Sequence, residues 1–106
     1  MTKQFRAYSP KWKKIVQSDD REYSIQITAD GDISVWKDTV CDDSAILLQY
    51  VDSKDREGRE IYEGDELIGD DGDTYIVADL LKFHIWAFVN SIETNKTHTI
   101  TGNIYE

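Results

Sequence analysis

One cysteine, Cys41, stands in 106 residues, so no disulfide can form within the chain. That suits a reducing compartment, and the cytoplasm is the expected setting. Zinc sites of four cysteines, or of two cysteines and two histidines, cannot be built from it. The two histidines, His84 and His98, are far apart and neither has a second ligand at short spacing. No apolar run approaches the roughly 20 residues that cross a bilayer, so no membrane association is expected. The opening MTKQFRAYSP lacks the apolar stretch of a secretory leader. There is no glycine-rich phosphate loop and no local nucleophile signature. Cys41 sits beside Asp42 and Asp43, a poor setting for a nucleophile. The Asp clusters at 30–32 and 70–73 lack calcium-loop spacing, and Asp-Gly turns account for them. The expectation is therefore a chain without catalytic residues, metal or cofactor: not an enzyme.

Acid is plentiful. The net charge is −9, and it is unevenly placed. Residues 1–18 carry five bases (Lys3, Arg6, Lys11, Lys13, Lys14) and no acid. Residues 19–79 carry nineteen carboxylates against five bases, or −14. Residues 80–106 balance at two of each. Neutralising phosphates needs surplus cations, so no direct binding of duplex DNA is expected.

Patterning favours strands. FRAY (Phe5 to Tyr8) alternates. SPKWKKIVQ reads either as a helical turn capped by Ser9 or as a loop entering a strand at Lys14 to Gln17. In YSIQITADGDISVWKD, Tyr23, Ile25 and Ile27 alternate with polar residues, Asp30-Gly31 supplies turn chemistry, and Ile33 and Val35 alternate again: a hairpin. AILLQYV is a continuous apolar strand candidate. DELIGDDGDTYIVAD repeats the hairpin logic around Asp71-Gly72, and HTITGNIYE closes the chain as a strand. KFHIWAFV fits helix or strand, with its aromatic content favouring strand. No long 3.6-residue period, internal repeat or low-complexity linker appears. Short strands joined by Gly-Asp turns predict a mainly β domain, a small SH3-like barrel or sandwich of antiparallel hairpins. It would fill residues 1–106, with 1–45 as a variable N-terminal part and 46–106 as the β core.

The stretch LLQYVDSKDREGREIYEGDEL carries a more specific signal. Together with Phe5-Arg6-Ala7 near the start and Gly102-Asn103-Ile104-Tyr105-Glu106 at the end, it resembles the YopX family of bacteriophage and prophage proteins. The central match runs through Gln49, Tyr50, Lys54, Asp55, Gly58, Glu60, Ile61, Tyr62, Glu63, Gly64 and Asp65. Departures are Tyr8, where tryptophan is common, and Val51-Asp52-Ser53, where the family usually has Thr-Gly-Leu. The resemblance implies a phage or prophage origin, and hence an infected host cell, with an SH3-like core and a tendency to self-assemble. It implies no catalytic residue.

These readings converge on a homo-oligomeric binding protein that blocks or sequesters a host factor. That factor is a host protein or a small nucleotide ligand serving as a defence signal. The alternative is an acidic mimic of DNA. Arg6, Arg56 and Arg59 are the guanidinium forks available to a partner. Trp12, Tyr50 and Tyr62 are the aromatic anchors. Gly58, Gly64, Asp65, Gly102 and Asn103 are expected to shape turns.

Overall fold

A computed structural model describes residues 5–105. Strand accounts for 47% and helix for 14% of them, so the protein is mainly β, as the patterning predicts. The strands are β1 (Phe5–Ser9), β2 (Lys14–Gln17), β3 (Ser24–Ile27), β4 (Ile33–Lys37) and β5 (Val40–Asp42). They continue with β6 (Ile46–Lys54), β7 (Glu60–Tyr62), β8 (Asp65–Gly69), β9 (Thr74–Ile76) and β10 (His98–Asn103). Two helices, α1 (Leu80–Val89) and α2 (Thr94–Thr97), lie between β9 and β10. The chain divides into two compact units between Leu48 and Gln49, with Tyr105 belonging to the first unit and Ile104 to the second.

In the first unit, β1 and β2 form an antiparallel hairpin in register from Arg6↔Gln17 to Ser9↔Lys14. Of the two readings for residues 9–17, the loop and strand is the one adopted. β3, β4 and β5 form an antiparallel meander. Its first turn is the expected one: Gly31 takes φ +88 and donates its N–H to the Thr28 carbonyl at 3.0 Å. Ala7, Val16, Tyr23, Val35 and Ala45 make the core, with Trp12, Ile25 and Ile33 packed against it. The buried Asp42 carboxylate organises the loop after β1, accepting from the Ser9 hydroxyl and the Lys11 N–H. Burial opposes ionisation there, but bonds from Ser44, Ser9 and the Lys11 and Ser44 backbone outweigh it and hold its pKa far below the usual carboxylate range.

In the second unit, β6 pairs antiparallel with β7 (Tyr50↔Tyr62, Lys54↔Glu60), and β8 lies between β10 and β9. The β8–β9 turn is the other expected hairpin, with Gly72 at φ +87 donating to the Gly69 carbonyl at 3.0 Å. Val51, Ile61, Leu67, Val77 and Phe83 form the core. β6 runs further into the charged stretch than its apolar residues suggest, reaching Lys54, and its register shifts between Tyr50 and Lys54. Within that shift Asp52 adopts φ +58, a left-handed conformation. This is one of the positions where the family pattern has a glycine, and Asp tolerates the conformation better than most residues. Asp52→Gly should therefore raise stability by up to about 1 kcal/mol, read as a higher urea midpoint.

The aromatic-rich run after β9 is a helix, not the strand its composition favours. Asp79, in extended conformation, caps it by accepting the Lys82 N–H at 2.8 Å. Glu63 Oε2 accepts the Leu80 N–H at 3.2 Å, covering another free amide of the first turn. Leu80, Phe83 and Trp86 face the core, and the chain leaves the helix at Asn90, whose N–H reaches the Trp86 carbonyl at 3.1 Å.

Candidate functional site

The charged motif is where a binding loop is expected, and its geometry shows what each residue does. Asp55 is 1% exposed. Its Oδ1 accepts the backbone N–H groups of Glu57 (3.0 Å) and Arg59 (2.8 Å). Its Oδ2 accepts Arg59 Nε (3.0 Å), Arg59 Nη2 (2.9 Å) and the Ile100 N–H (3.1 Å). Gly58, at φ +81, closes the loop by donating to the Asp55 carbonyl at 3.0 Å. One carboxylate thus folds the loop on itself and ties it to β10.

The two arginines of this loop are held, not projecting. Arg59 Nη2 also donates to the Ile100 carbonyl at 2.9 Å and pairs with Glu57 at 3.0 Å. Arg56 donates to the Lys96 carbonyl through Nε (3.1 Å) and Nη2 (3.0 Å) and forms an ion pair with Asp70. An anionic ligand would have to compete with these partners for either guanidinium.

The second half of the motif is a turn built on another buried acid. Asp65 is 2% exposed; Oδ2 accepts the Tyr62 N–H (2.8 Å) and Oδ1 accepts Asn103 Nδ2 (2.9 Å). Asn103 Nδ2 also reaches the Glu63 carbonyl at 3.3 Å. Between them Gly64 takes φ +89, donates to the Val77 carbonyl at 2.7 Å and accepts the Ile104 N–H at 2.9 Å. Gly102 lies where the β10–β8 register shifts. The matching pieces Gly64-Asp65 and Gly102-Asn103 are therefore two sides of one knot. Gly64→Ala forces a Cβ into a left-handed, doubly bonded position and should cost about 1 kcal/mol or more. Chemical denaturation checks it, and an unchanged midpoint would contradict this role.

Tyr50 and Tyr62 meet across the β6–β7 pair with ring centroids 5.7 Å apart. Tyr62 is buried, while Tyr50 is half-buried and opens on a groove of about 450 Å³ with Lys54, Phe83 and Glu93. Burial, then the nearby Glu60 and Asp52 charges, push the Tyr50 phenol pKa up. Arg6 and Trp12 belong to the first unit. Arg6 Nε donates to Gln17 across the hairpin at 3.1 Å, and Trp12 packs edge-on against Tyr23 at 5.4 Å. The six candidate contact residues are thus divided between the two units. Among the described residues no group of three or more His, Cys, Asp or Glu side chains is arranged to hold a metal ion.

What the sequence reading missed is the outward side of α1. Leu81 is 70% exposed, Ile85 52%, Phe88 86% and Val89 71%. Their spacing of four, three and one places them on one stripe of a 3.6-residue helix, opposite Phe83. The signal was present in the run itself: ten apolar-rich residues exceed the usual strand, and an Asp immediately precedes them.

Fold and site together define a small antiparallel β protein. Its signature motif builds turns, and its helix carries apolar surface on both sides. The chain belongs to the YopX family: the family model described as YopX protein matches residues 4–106. This bears out the resemblance carried by the central motif; Glu106, the last residue of the C-terminal match, lies outside the described residues. No curated protein is significantly similar to the chain.

Proposed function

We propose that this chain is a non-enzymatic binding protein of phage or prophage origin, working as a homo-oligomer that captures a host factor. The face between copies is the outer stripe of α1. The observation that carries the reading is that stripe: four large apolar side chains exposed together on one helix. A helix with apolar residues on two opposite sides has two faces to bury, and here only the Phe83 side packs against a core, with the exposed Lys82 and His84 flanking the other.

A second copy is the occupant that fits. Leu81 and Val89 lie four residues either side of Ile85, so two α1 helices crossing antiparallel about Ile85 bring each Leu81 to the other copy's Val89. That is a self-complementary, two-fold contact. Charge points the same way. The chain is at −9, yet residues 80–89 contain no carboxylate, so two copies meet there without opposing acids. A buried aromatic covers about 150–250 Å². With three aliphatic neighbours on each copy, the pairing approaches the ~1,200 Å² at the low end of specific interfaces. The engagement of Arg56 and Arg59 with internal partners favours this apolar contact over one that grips an anion.

Sedimentation at micromolar concentration tests the reading. The wild type should exceed 12.3 kDa. Phe88→Glu should sediment as a monomer while melting normally in dilute solution. A wild type that stays monomeric, or a Phe88→Glu variant that assembles as before, would overturn it.

A further inference from the structure

A second concavity of the Gln49–Ile104 unit, about 700 Å³, opens between the β8–β9 turn, the end of α1 and the start of β10. Asp70, Asp71 and Asp73 line one side, and Trp86 and His98 line another. Acids alone would mean only a solvated turn. His98 makes the difference. It is 9% exposed, and its one side-chain hydrogen bond is between Nδ1 and Thr97 Oγ1, at 2.7 Å. Among the described residues every fully buried side-chain nitrogen and oxygen has a partner. Nε2, which has none, therefore opens on the cleft.

The single hydrogen of the Thr97 hydroxyl decides which nitrogen carries the proton. The Thr97 hydroxyl donates its hydrogen to the Glu93 carbonyl at 3.2 Å. With the hydrogen placed there, its oxygen accepts from Nδ1, an arrangement that makes Nδ1 the N–H and Nε2 a bare acceptor on a neutral ring. Burial lowers the His98 pKa, Asp71 and Asp70 on the adjacent turn raise it, Arg56 lowers it, and the balance is downward, so the ring is neutral at pH 7. A Cβ at Gly69 would lie 3.0 Å from both His98 Nε2 and Asp71 Oδ1. The two atoms thus flank the same small space beside Gly69, and the absent side chain keeps it open. Trp86 meets the His98 ring edge-on at 5.2 Å and is backed by Tyr75, stacked at 3.9 Å. Asp70 is already paired with Arg56, which leaves Asp71, Asp73 and Nε2 to a ligand.

We infer that this cleft binds an organic cation bearing N–H donors, an alkylammonium or guanidinium group, held between His98 Nε2 and Asp71 and flanked by Asp73 and Trp86. Asp71, Asp73 and Nε2 accept, so a ligand held by these three must donate, and the two carboxylates without an ion pair favour a positive one. An indole beside the site suits a cation. The inference is independent of the α1 contact: none of these residues belongs to the outer stripe.

The free amine and a basic side chain of a protein are distinguished by two probes, agmatine and a short lysine- and arginine-containing peptide, with potassium chloride at equal ionic strength as control. The readout is the imidazole ¹⁵N spectrum of the full chain. In the free protein Nε2 should appear as the unprotonated nitrogen at pH 7. Titration with the fitting probe should shift that resonance saturably, and Asp71→Asn should weaken the response at least tenfold while retaining the bond that Asp71 Oδ1 accepts from the Asp73 N–H. Saturation by agmatine assigns a free amine; saturation by the peptide alone assigns a protein side chain. No saturable shift with either probe, a shift equal to that of potassium chloride, an unaffected Asp71→Asn, or a protonated Nε2 in the free protein would each overturn the inference.

Discussion

Asp55→Ala is expected to destabilise the protein by about 3 kcal/mol or more, among the largest single effects in the chain. The carboxylate is buried, and five donors converge on it. Its removal strands the N–H groups of Glu57, Arg59 and Ile100 and frees a guanidinium that held two elements together. Removing one partner of such a network costs more than the mean hydrogen bond, because the remaining groups lose their solvation without recompense. Arg59→Ala should cost less, about 1–2 kcal/mol, since three backbone donors still serve the acid and the arginine is half exposed. Urea denaturation ranks the two variants; a larger loss for Arg59→Ala would contradict the assignment.

The same carboxylate fixes the acid response. Burial raises its pKa, but bonds from Ile100 and from the Arg59 backbone and side chain, with the Arg59 charge, lower it further, so the folded value lies below that of the unfolded chain. The sign follows: the folded state binds fewer protons, and the stabilisation is complete above the unfolded carboxylate pKa of about 4 and lost as pH falls through the folded value. Asp42 acts in the same direction in the other unit. Stability should begin to decline below about pH 6.5, where an unfolded His98 takes up a proton that the buried ring resists, and fall further below about 4, and Asp55→Ala should flatten that lower fall.

Phe83→Ala is expected to cost about 3–5 kcal/mol, the range for emptying a phenylalanine site in a core. Phe83 is 1% exposed and packs with Val51, Ile61, Leu67 and Val77. Five residues on, Phe88 is 86% exposed, and Phe88→Ala should leave the stability of the dilute protein within about 0.5 kcal/mol. Equal losses at the two positions, measured below the association range, would show that the outer stripe packs against its own chain.

Much of this architecture is legible in the residues. The Asp30-Gly31 and Asp71-Gly72 turns announce themselves because a left-handed residue between alternating apolar strands leaves few other choices. Helix α1 does not, for a physical reason. A helix is recognised by contrast between an apolar and a polar side, and Leu81, Ile85, Phe88 and Val89 erase that contrast. The feature that hid the helix is the one that marks it as a contact surface. The loop arginines show the converse case. Charged residues in a polar stretch read as solvated, and nothing local reveals that Asp55 is buried, because its donors include Ile100, forty-five positions away. His98 likewise looks isolated in sequence, since the acids it faces arrive on a distant hairpin turn.

The most direct test of the central claim is a dilution series followed by backbone amide NMR of the full chain. The claim is that the signature motif is scaffold while the outer face of α1 is the contact. Concentration-dependent shifts should be confined to residues 81–92, with the amides of Glu57, Arg59 and Ile100 unmoved and slow to exchange. Shifts centred on residues 55–65, with α1 unaffected by concentration, would contradict it.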